Sequence, residues 1–430
     1  MLTREENDLL TRTGAQTPMG KLARRYWLPA LLSEELPEPD GMPIRVQLMG
    51  ERLVAFRRTD GEVGLVGEFC PHRGASLALA RNEENALRCI YHGWQIGCDG
   101  AVLDTPTEKP ASNFKARLRQ VAYPTREAGG MVWTYMGPPP DEPPFPRFAW
   151  NTLSRDHVYT VKILQESNFL QGLEGGLDPI HVQFLHRQFD TSRLAQRNVA
   201  LGGALDMPPE LFTVDTPYGF QAAAIRGHAD PDRRYVRVTP FVMPWWTIVP
   251  FPVPEVGTGR GTHAHAWVPI DDEHCWVYYI HFDPYAPIDR AVVDRWFSWS
   301  TLLADGYVKR ANAASLYMQD RTMMRTTNYS GIANAVLQDL AINETQGPIY
   351  DRRTEHLGTS DVAVITLRRR MLQAVRALMA SADPIGLSTD YASIRGVALA
   401  MSADIPWEQA EAEFDRQLEP RLAGMENTPV

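Results

Sequence analysis

Two short segments of the chain each carry one cysteine and one histidine. One residue separates Cys70 from His72, and two residues separate Cys89 from His92. Sixteen residues lie between His72 and Cys89, enough for a strand and a return connection, so the two pairs can face each other across one bound group. Thiolates bind iron and sulfide well, and replacing two of the four cysteines by histidine raises the reduction potential of a two-iron cluster. The two segments therefore predict a [2Fe–2S] cluster that carries electrons.

A structural zinc site is the alternative for the same four side chains. Zinc sites with two cysteines and two histidines usually place their cysteines close together in the sequence. Here each cysteine is instead followed closely by a histidine. This spacing favours the iron–sulfur cluster over zinc.

Asp178, His181 and His186 form a second candidate metal-binding segment. Two imidazoles and one carboxylate on one face of an iron leave positions open for dioxygen, which is the arrangement of non-haem Fe(II) oxygenases. His181 and His186 are five residues apart, which is about 140° around an ideal helix. Their side chains can therefore converge only where a helix ends, bends or bulges.

His263 and His265 are the competing histidine pair. On a β-strand these two residues share one face, and such a pair can bind metal. No carboxylate pattern accompanies them, so we interpret both as structural residues.

Several motifs resemble one known family. The two Cys–His segments resemble the Rieske [2Fe–2S] family, and D-x-x-H-x-x-x-x-H at 178–186 resembles the iron motif of Rieske non-haem iron oxygenases. Segments 168–176, 347–352 and 355–361 resemble their phthalate dioxygenase branch, and the resemblance extends from Thr11 to about Met379. It implies the large (alpha) oxygenase subunit of an aromatic ring-hydroxylating dioxygenase, with a Rieske cluster and a mononuclear Fe(II).

The resemblance also implies roles for single residues. The family has a C-terminal Asp followed five residues later by Glu, which matches Asp339 and Glu344 and makes Asp339 the expected third iron ligand. Asp178 takes the position of a carboxylate that bridges a cluster histidine, His72 or His92, to an iron histidine. A carboxylate that accepts hydrogen bonds from both imidazoles fixes their tautomers and couples their protonation to redox state. In the family this bridge joins neighbouring subunits of a homotrimer or hexamer.

The elements that must position these residues fall into two domains. From Ile44 onward, short alternating stretches separated by Gly and Asp turns predict an all-β Rieske domain. Proline-rich residues 137–146 predict an extended linker and a domain boundary. We expect an N-terminal arm (1–25), the Rieske domain (26–140) and an α+β catalytic domain (141–430) with a helical C-terminal extension. The catalytic domain is predicted to be an antiparallel sheet with helices, of the helix-grip or START-like type, with 287–325 and 361–381 mainly helical.

Composition limits the classes of partner. The chain has 430 residues, 44% of them hydrophobic, which suffices for two cored domains. Its net charge of −9 argues against nucleic acid. A charged N-terminus and the lack of an eighteen-residue apolar run predict a cytoplasmic protein without membrane contact.

The chain also lacks a dinucleotide-binding motif, because no G-x-G-x-x-G follows a strand. We therefore expect a separate flavin and iron–sulfur reductase. Cys98 and Cys275 are expected to be reduced packing residues.

The substrate prediction rests on apolar walls and a cation. Residues 241–250 are apolar and aromatic, which suits an arene, and the family branch acts largely on aromatic carboxylates. Arg226 and Arg237 each interrupt an apolar strand and are candidates to bind the carboxylate, although an arginine in an edge strand often faces solvent. We expect O2-dependent hydroxylation of a phthalate-like or substituted benzoate to a cis-dihydrodiol. Two alternatives stay open: a monooxygenase or O-demethylase of a methoxy- or aryloxybenzoate, and a Rieske electron-transfer protein without mononuclear iron.

Overall fold

The computed structural model describes the chain in five ranges, namely residues 1–109, 112–189, 208–250, 262–387 and 390–425. The chain divides into two compact units. The smaller unit comprises Arg12–Pro146 and Val268–Asp272, and the larger comprises Met1–Thr11, Arg147–Trp267 and Glu273–Val430. The domain bounds proposed at 25/26 and 140/141 stay predictions.

The smaller unit consists mainly of antiparallel strands, as the alternating pattern predicted. They pair in three sheets, in the orders β1-β11-β10, β2-β3-β4-β9 and β5-β6-β7-β8. Their bounds are β1 Trp27–Leu32, β2 Ile44–Leu48, β3 Glu51–Arg57, β4 Val63–Gly67, β5 Arg81–Glu83, β6 Ala86–Arg88, β7 Gln95–Gly97, β8 Val102–Asp104, β9 Ala122–Tyr123, β10 Thr125–Ala128 and β11 Met131–Tyr135.

The core of this unit lies directly under the two Cys–His segments. Phe56, Leu77, Leu87 and Ile96 are fully buried and pack in one cluster with Cys70 and Cys89, together with other apolar side chains. Cys98 of this unit and Cys275 of the larger unit are not joined in a disulfide. The candidate cluster ligands are therefore anchored on a packed core, which limits their motion.

The larger unit is built on one antiparallel sheet. Its strand order is β12-β18-β17-β16-β15-β14-β13, and β21 pairs with β15. The bounds are β12 Val158–Gln165, β13 Glu210–Thr216, β14 Gly219–Gly227, β15 Arg233–Val242, β16 Trp246–Pro250, β17 Thr262–Pro269, β18 Cys275–Phe282 and β21 Val397–Ser402, with a separate pair β19 Leu303–Ala304 and β20 Val308–Lys309. The predicted antiparallel sheet with helices is thus confirmed.

Several helices accompany the strands. Their bounds are α1 Arg4–Thr11, α2 Pro18–Ala23, α3 Ala149–Thr152, α4 Phe169–Leu177, α5 Arg290–Phe297, α6 Trp299–Leu302, α7 Met323–Thr326, α8 Ala335–Thr345, α9 Val362–Met379 and α10 Ala410–Met425. Helix α9 agrees with the predicted helix at 361–381. None of the helices in the described ranges combines the length and apolar character needed to cross a membrane.

Residues 287–325 differ from the prediction, because short elements replace a mainly helical segment. Helices α5 and α6 are separated by Ser298, whose φ of 57° lies in the left-handed region. Leu316, Tyr317 and Met318 have φ between 47° and 54°. A left-handed residue interrupts a right-handed helix, so local apolar periodicity alone overestimated the helix here.

Glycines in α4 allow this helix to lie very close to the sheet. A Cβ on Gly172 would lie 2.2 Å from the Trp267 Nε1 atom, and one on Gly176 would lie 2.2 Å from Trp267 Cη2. Glycine weakens a helix intrinsically, so tertiary packing against Trp267 compensates here. The end of α4 leads directly into the Asp178–His186 segment.

A buried ion network joins α4, α9 and the loop before α9. Glu174 accepts hydrogen bonds from Arg352 Nε and Nη2, both at 2.9 Å, and from Arg368 Nε at 2.6 Å. Arg368 also pairs with Glu355. The Arg352 side chain is fully buried, and those of Glu174 and Arg368 are 11% and 5% exposed. These charged side chains are largely removed from water, so each depends on its ion-pair partners for stabilisation.

Candidate metal centres

The two Cys–His loops have the same backbone shape. In each loop the cysteine N–H donates to the carbonyl five residues further on, at 2.8 Å for both Cys70 and Cys89. Gly74 and Gly93, four residues after their cysteines, donate their N–H back to the cysteine carbonyls at 2.9 Å. Their φ values of 71° and 75° lie in the left-handed region, which glycine adopts without strain. Two similar loops therefore present the four candidate ligands.

The side chains of these loops converge. The His72 and His92 rings have centroids 4.4 Å apart, and the Trp94 indole stacks on His72 at 4.4 Å. Cys70 and Cys89 are each 3% exposed. Burial, with a contribution from nearby Cys89, raises the pKa of the Cys70 thiol to about 11. A bound metal must therefore displace this proton, as metals do at thiol ligands.

His72 Nδ1 provides a test of whether the loops fit a metal cluster. This nitrogen is buried and has no hydrogen-bond partner among the described residues. Buried polar atoms are nearly always satisfied in folded proteins, and ligation of an iron would satisfy this one. The donor set of two thiols and two imidazoles is that of a Rieske cluster. The loops therefore fit the [2Fe–2S] group.

His181, His186 and Asp339 form the second candidate metal centre. The two histidine Nε2 atoms are 3.2 Å apart, and Asp339 Oδ1 lies 3.1 Å from His186 Nε2 and 3.7 Å from His181 Nε2. Ligand atoms placed at right angles, each about 2.1 Å from one ion, are about 3.0 Å apart. Within the described residues, these three side chains lie close enough together to share one metal ion. The arrangement fits two imidazoles and one carboxylate on one face of an iron.

The chain brings these ligands together by ending a helix. Helix α4 stops at Leu177, and Asp178 is its C-terminal cap. His181 begins a short 3₁₀ turn, and the Leu185 N–H donates to the His181 carbonyl at 2.8 Å. This break meets the geometric condition that the five-residue spacing imposed. Asp339 comes from the first half of α8, far away in the sequence.

The two imidazoles have different neighbours on their second nitrogen. His186 Nδ1 lies 2.6 Å from Gln338 Oε1, a hydrogen bond that the imidazole donates. His181 Nδ1 lies 3.6 Å from Asp178 Oδ2, which is longer than a hydrogen bond. Gln338 is not among the residues predicted from the sequence. Its one signal is its place directly before Asp339.

The Asp339 carboxylate is charged at neutral pH. Burial alone would raise the pKa of Asp339, but attraction to His186 and His181 outweighs burial and places the pKa below its usual value. A metal-binding carboxylate must be deprotonated. The electrostatic environment of Asp339 thus meets this requirement before any metal binds.

The two candidate substrate arginines share one face of the sheet. Arg226 is paired directly opposite Tyr235, and Arg237 opposite Ala224, so cross-strand register places both arginines on the same side. Arg226 is 4% exposed, and its Nη2 donates to the Pro179 carbonyl at 3.1 Å. Arg237 instead lines a cavity. Burial lowers the pKa of both guanidinium groups.

The wall of this cavity is mainly apolar. It comprises Leu177, Pro179, Leu211, Phe212, Ala222, Ala223, Ala224, Arg237, Thr239, Val362 and Ala363. Arg237 is its one charged residue, and Pro179 lies two positions before His181. Arg237 is therefore the side chain in this wall that can pair with an anionic group.

His263 and His265 lie in β17 with aromatic neighbours. His263 Nε2 is 3.1 Å from His281 Nδ1, and the His265 ring centroid is 4.6 Å from that of Tyr279. Burial lowers the pKa of His265 to about 4 and that of His281 to about 3, so both rings are neutral. Neither of the β17 histidines belongs to the three-residue metal group of the described residues.

Comparisons with known proteins agree on one family. Residues 26–120 match the Rieske [2Fe-2S] domain, and residues 134–427 match the LigXa C-terminal domain like family. Phthalate 4,5-dioxygenase oxygenase subunit of Pseudomonas putida is 38% identical over 96% of this chain and 96% of its own length. The 3-chlorobenzoate-3,4-dioxygenase oxygenase subunit of Comamonas testosteroni is 33% identical over 95% and 98%. The 5,5'-dehydrodivanillate O-demethylase oxygenase subunit of Sphingobium sp. is 32% identical over 93% and 86%.

Solved structures share the fold. Dicamba monooxygenase bound to dicamba has a TM-score of 0.58 and 17% identity, covering 84% of this chain and 99% of its own. The terminal oxygenase of carbazole 1,9a-dioxygenase from Novosphingobium sp. KA1 has a TM-score of 0.57 and 22% identity, covering 86% and 98%. The predicted family is therefore confirmed by matches that span almost the whole chain. The chain belongs to the Rieske non-haem iron oxygenases, as an oxygenase subunit of the phthalate dioxygenase branch with a Rieske [2Fe–2S] cluster and a mononuclear iron.

Proposed function

We propose that this enzyme adds both atoms of O2 to an aromatic carboxylate, a phthalate-like compound or a substituted benzoate, to give a cis-dihydrodiol. The ring gains both oxygen atoms, two electrons that originate from NAD(P)H, and two protons. When bound, the mononuclear iron supplies dioxygen activation and the cluster supplies single electrons. The observation that carries the proposal is the convergence of His181, His186 and Asp339 in a chain that also has two Cys–His loops.

The proposed ligands follow from the two centres. Cys70, His72, Cys89 and His92 hold the cluster, and His181, His186 and Asp339 hold the iron. Asp339 is charged because the two imidazoles stabilise its carboxylate. The Nε2 atoms of both imidazoles lie on the side of Asp339 Oδ1, and each must present its lone pair there to bind a metal.

The proposed substrate class rests on relatives and on one cation. Two relatives are named for phthalate and for 3-chlorobenzoate, which are both aromatic carboxylates. Arg237 brings a positive charge to an otherwise apolar cavity, where it can pair with a substrate carboxylate. Arg226 already donates to the Pro179 carbonyl, so we propose that it supports the turn before His181 rather than the substrate.

Replacing Arg237 with glutamine is expected to raise the KM for the aromatic carboxylate about 10- to 100-fold. The variant loses a charge-assisted hydrogen bond, which contributes about 1.5–3 kcal/mol. Steady-state kinetics with the full reductase system measures the change. Arg233→Gln, an exposed arginine on the same strand, is the matched control and should leave KM unchanged. An unaltered KM in Arg237→Gln contradicts the assignment.

We further propose that Asp178 bridges His181 to a cluster histidine of a neighbouring subunit in a homotrimer or a hexamer. Asp178 Oδ1 accepts the Ile180 N–H at 2.7 Å, and Oδ2 faces His181 Nδ1. The side chain is 29% exposed, so a second imidazole can reach it. The carboxylate can then orient both rings.

The Asp178→Asn variant is expected to turn over about 10–100-fold more slowly while it keeps its iron and sulfide content. The asparagine amide retains the size of the carboxylate but loses the charge that pairs with two imidazoles. The rate of cluster oxidation in a single turnover, measured with substrate and O2, reports the loss directly. A wild-type rate in this variant would exclude the bridging role.

A separate partner is proposed as the electron source, a reductase with flavin and an iron–sulfur centre. A solved oxygenase of carbazole 1,9a-dioxygenase forms a complex with a ferredoxin, which supports docking of an iron–sulfur protein. Oxidation of NAD(P)H that requires the oxygenase, its substrate and the reductase together tests this assignment.

The first test of the proposed function is metal and product analysis of anaerobically purified protein. We expect about three irons and two sulfides per chain, and both atoms of one labelled O2 in the product. Release of formaldehyde from a methoxyarene, with an unlabelled phenol because the inserted atom of O2 leaves with formaldehyde and the other becomes water, would instead assign O-demethylation, the activity named for the Sphingobium relative. Two irons in fully loaded protein would leave only electron transfer.

A further inference from the structure

The buried Gln338 side chain is in direct contact with one proposed iron ligand. Its Oε1 atom accepts the His186 Nδ1–H at 2.6 Å, and its Nε2 donates to the Ile332 carbonyl at 2.7 Å. The side chain is fully buried. Because Ile332 supplies an acceptor on one side, the amide must turn its oxygen towards His186. The orientation of this amide is thus determined by the chain itself.

The Ile332 carbonyl is held by a second buried amide. Asn328 Nδ2 donates to it at 3.0 Å, and Asn328 Oδ1 accepts the Gly331 N–H at 2.7 Å. Gly331 has a φ of 70°, and a Cβ there would lie 2.5 Å from the Asp320 carbonyl oxygen. The turn is therefore closed around Asn328 and requires glycine.

The same loop also holds the backbone that follows His186. The Phe189 N–H donates to the Thr327 carbonyl at 2.8 Å, and the Tyr329 N–H donates to the Arg187 carbonyl at 2.9 Å. The loop 327–332 therefore supports the position of His186 in two indirect ways. It pairs with the main chain just after this residue, and through Gln338 it orients the imidazole.

A neutral acceptor on Nδ1 decides the tautomer of His186. An amide oxygen can only accept, so the imidazole keeps its proton on Nδ1 and exposes a lone pair on Nε2. That Nε2 is the atom 3.1 Å from Asp339 Oδ1 and 3.2 Å from His181 Nε2. His181 differs, because its Nδ1 faces the Asp178 carboxylate without a hydrogen bond.

We propose that Gln338, supported by loop 327–332, is a positioning residue that prepares His186 to bind iron. It holds the imidazole in the tautomer and the direction that place Nε2 beside the other two ligand atoms. This inference rests on the proposed role of His186 as an iron ligand. Helix α8 thus supplies one ligand, Asp339, and the adjacent residue that orients another.

The test measures iron affinity rather than activity. The holoprotein is titrated anaerobically with Fe²⁺ against a chromophoric chelator, and the iron bound beyond the cluster is expressed per cluster from its visible spectrum. We expect Gln338→Leu to bind this iron about 10–100-fold more weakly, with an unchanged cluster spectrum. Gln338→Glu keeps an oxygen acceptor for His186 and should lose less affinity than the leucine variant.

A matched control separates orientation from loss of a buried amide. Gln165 is also fully buried, and its Nε2 donates to Ser167 Oγ at 2.9 Å. Gln165→Leu should lower the thermal stability but keep the wild-type iron affinity. Equal affinity in Gln338→Leu and wild type would overturn the proposal, and so would equal weakening in Gln165→Leu and Gln338→Leu.

The same titration distinguishes failure of this inference from failure of the proposed function. Wild-type protein that binds no iron beyond its cluster would contradict the proposed oxygenase chemistry itself. Wild-type protein that binds this iron and loses it in His186→Ala, while Gln338→Leu retains it, would contradict only the positioning role.

Discussion

Asp339→Asn is expected to lose the mononuclear iron and to lower product formation by more than about 100-fold. Even removal of a hydrogen-bond partner behind a metal ligand costs about 10–100-fold in affinity or activity, so removal of a charged ligand should cost more. The asparagine oxygen occupies similar space but carries no charge to offset that of the metal. Iron content should fall from about three to about two per chain, while sulfide and the cluster spectrum stay constant.

The matched control for this variant is Asp351→Asn. Asp351 is a partly exposed aspartate of the same unit that pairs with Arg353. The control should keep its iron content and its rate. Retention of three irons and wild-type turnover in Asp339→Asn would show that another residue completes the iron site.

Glu174→Gln is expected to destabilise the larger unit by about 3–5 kcal/mol. The glutamine leaves Arg352, which is fully buried, without its carboxylate, and breaking one partner of a buried ion network has a cost of this size. A loss of this size corresponds to a decrease in Tm of roughly 5–15 °C. Differential scanning calorimetry of the holoprotein measures the change, and the cluster spectrum before heating confirms that the variant is loaded.

The exposed pair Asp215 and Arg369 provides the comparison. Their side chains are 43% and 45% exposed, and exposed pairs contribute only about 0–1 kcal/mol. Asp215→Asn should therefore change Tm little. A Tm loss in Glu174→Gln no larger than that in Asp215→Asn would show that water or relaxation compensates the buried arginines.

The contribution of Glu174 to the stability of the folded protein is expected to fall at low pH. Burial acts to raise the pKa of Glu174, but Arg352 and Arg368 outweigh burial and lower it below the usual value. A carboxyl group with a depressed pKa in the folded state stabilises the protein above its unfolded pKa of about 4.3, and this contribution is lost as pH falls further. The difference in Tm between wild type and Glu174→Gln should therefore shrink on acidification below about pH 4.

The sequence alone predicted the candidate sites whose ligands are close together along the chain. Cys70, His72, Cys89 and His92 are recognisable because each pair belongs to one short loop whose backbone hydrogen bonds are local. The D-x-x-H-x-x-x-x-H spacing also set a condition, an interruption of any helix between His181 and His186, and the chain there forms only a short 3₁₀ turn, His181–Gln183. Local geometry of this kind is set by residues within a few positions of one another.

Resemblance, and not spacing, was needed for Asp339. This residue is more than 150 positions after His186, and a solvated helix aspartate has the same local sequence features. Residues 287–325 show the same limit. Their apolar pattern predicted helix, but left-handed residues such as Ser298 and Tyr317 break it into short elements.

Only the tertiary structure shows which polar side chains contact a proposed iron ligand or the turn before it. Arg226 and Arg237 were equal candidates in the sequence. Strand register places both on one face of the sheet, and the hydrogen bond from Arg226 to the Pro179 carbonyl separates them. Gln338 had no local signal beyond its place directly before Asp339, because its partners His186 and Ile332 lie on different segments. The physical reason is that a hydrogen bond or a ligand contact depends on atoms within a few ångströms. Packing of distant segments brings those atoms together, whereas sequence spacing describes only the backbone nearby.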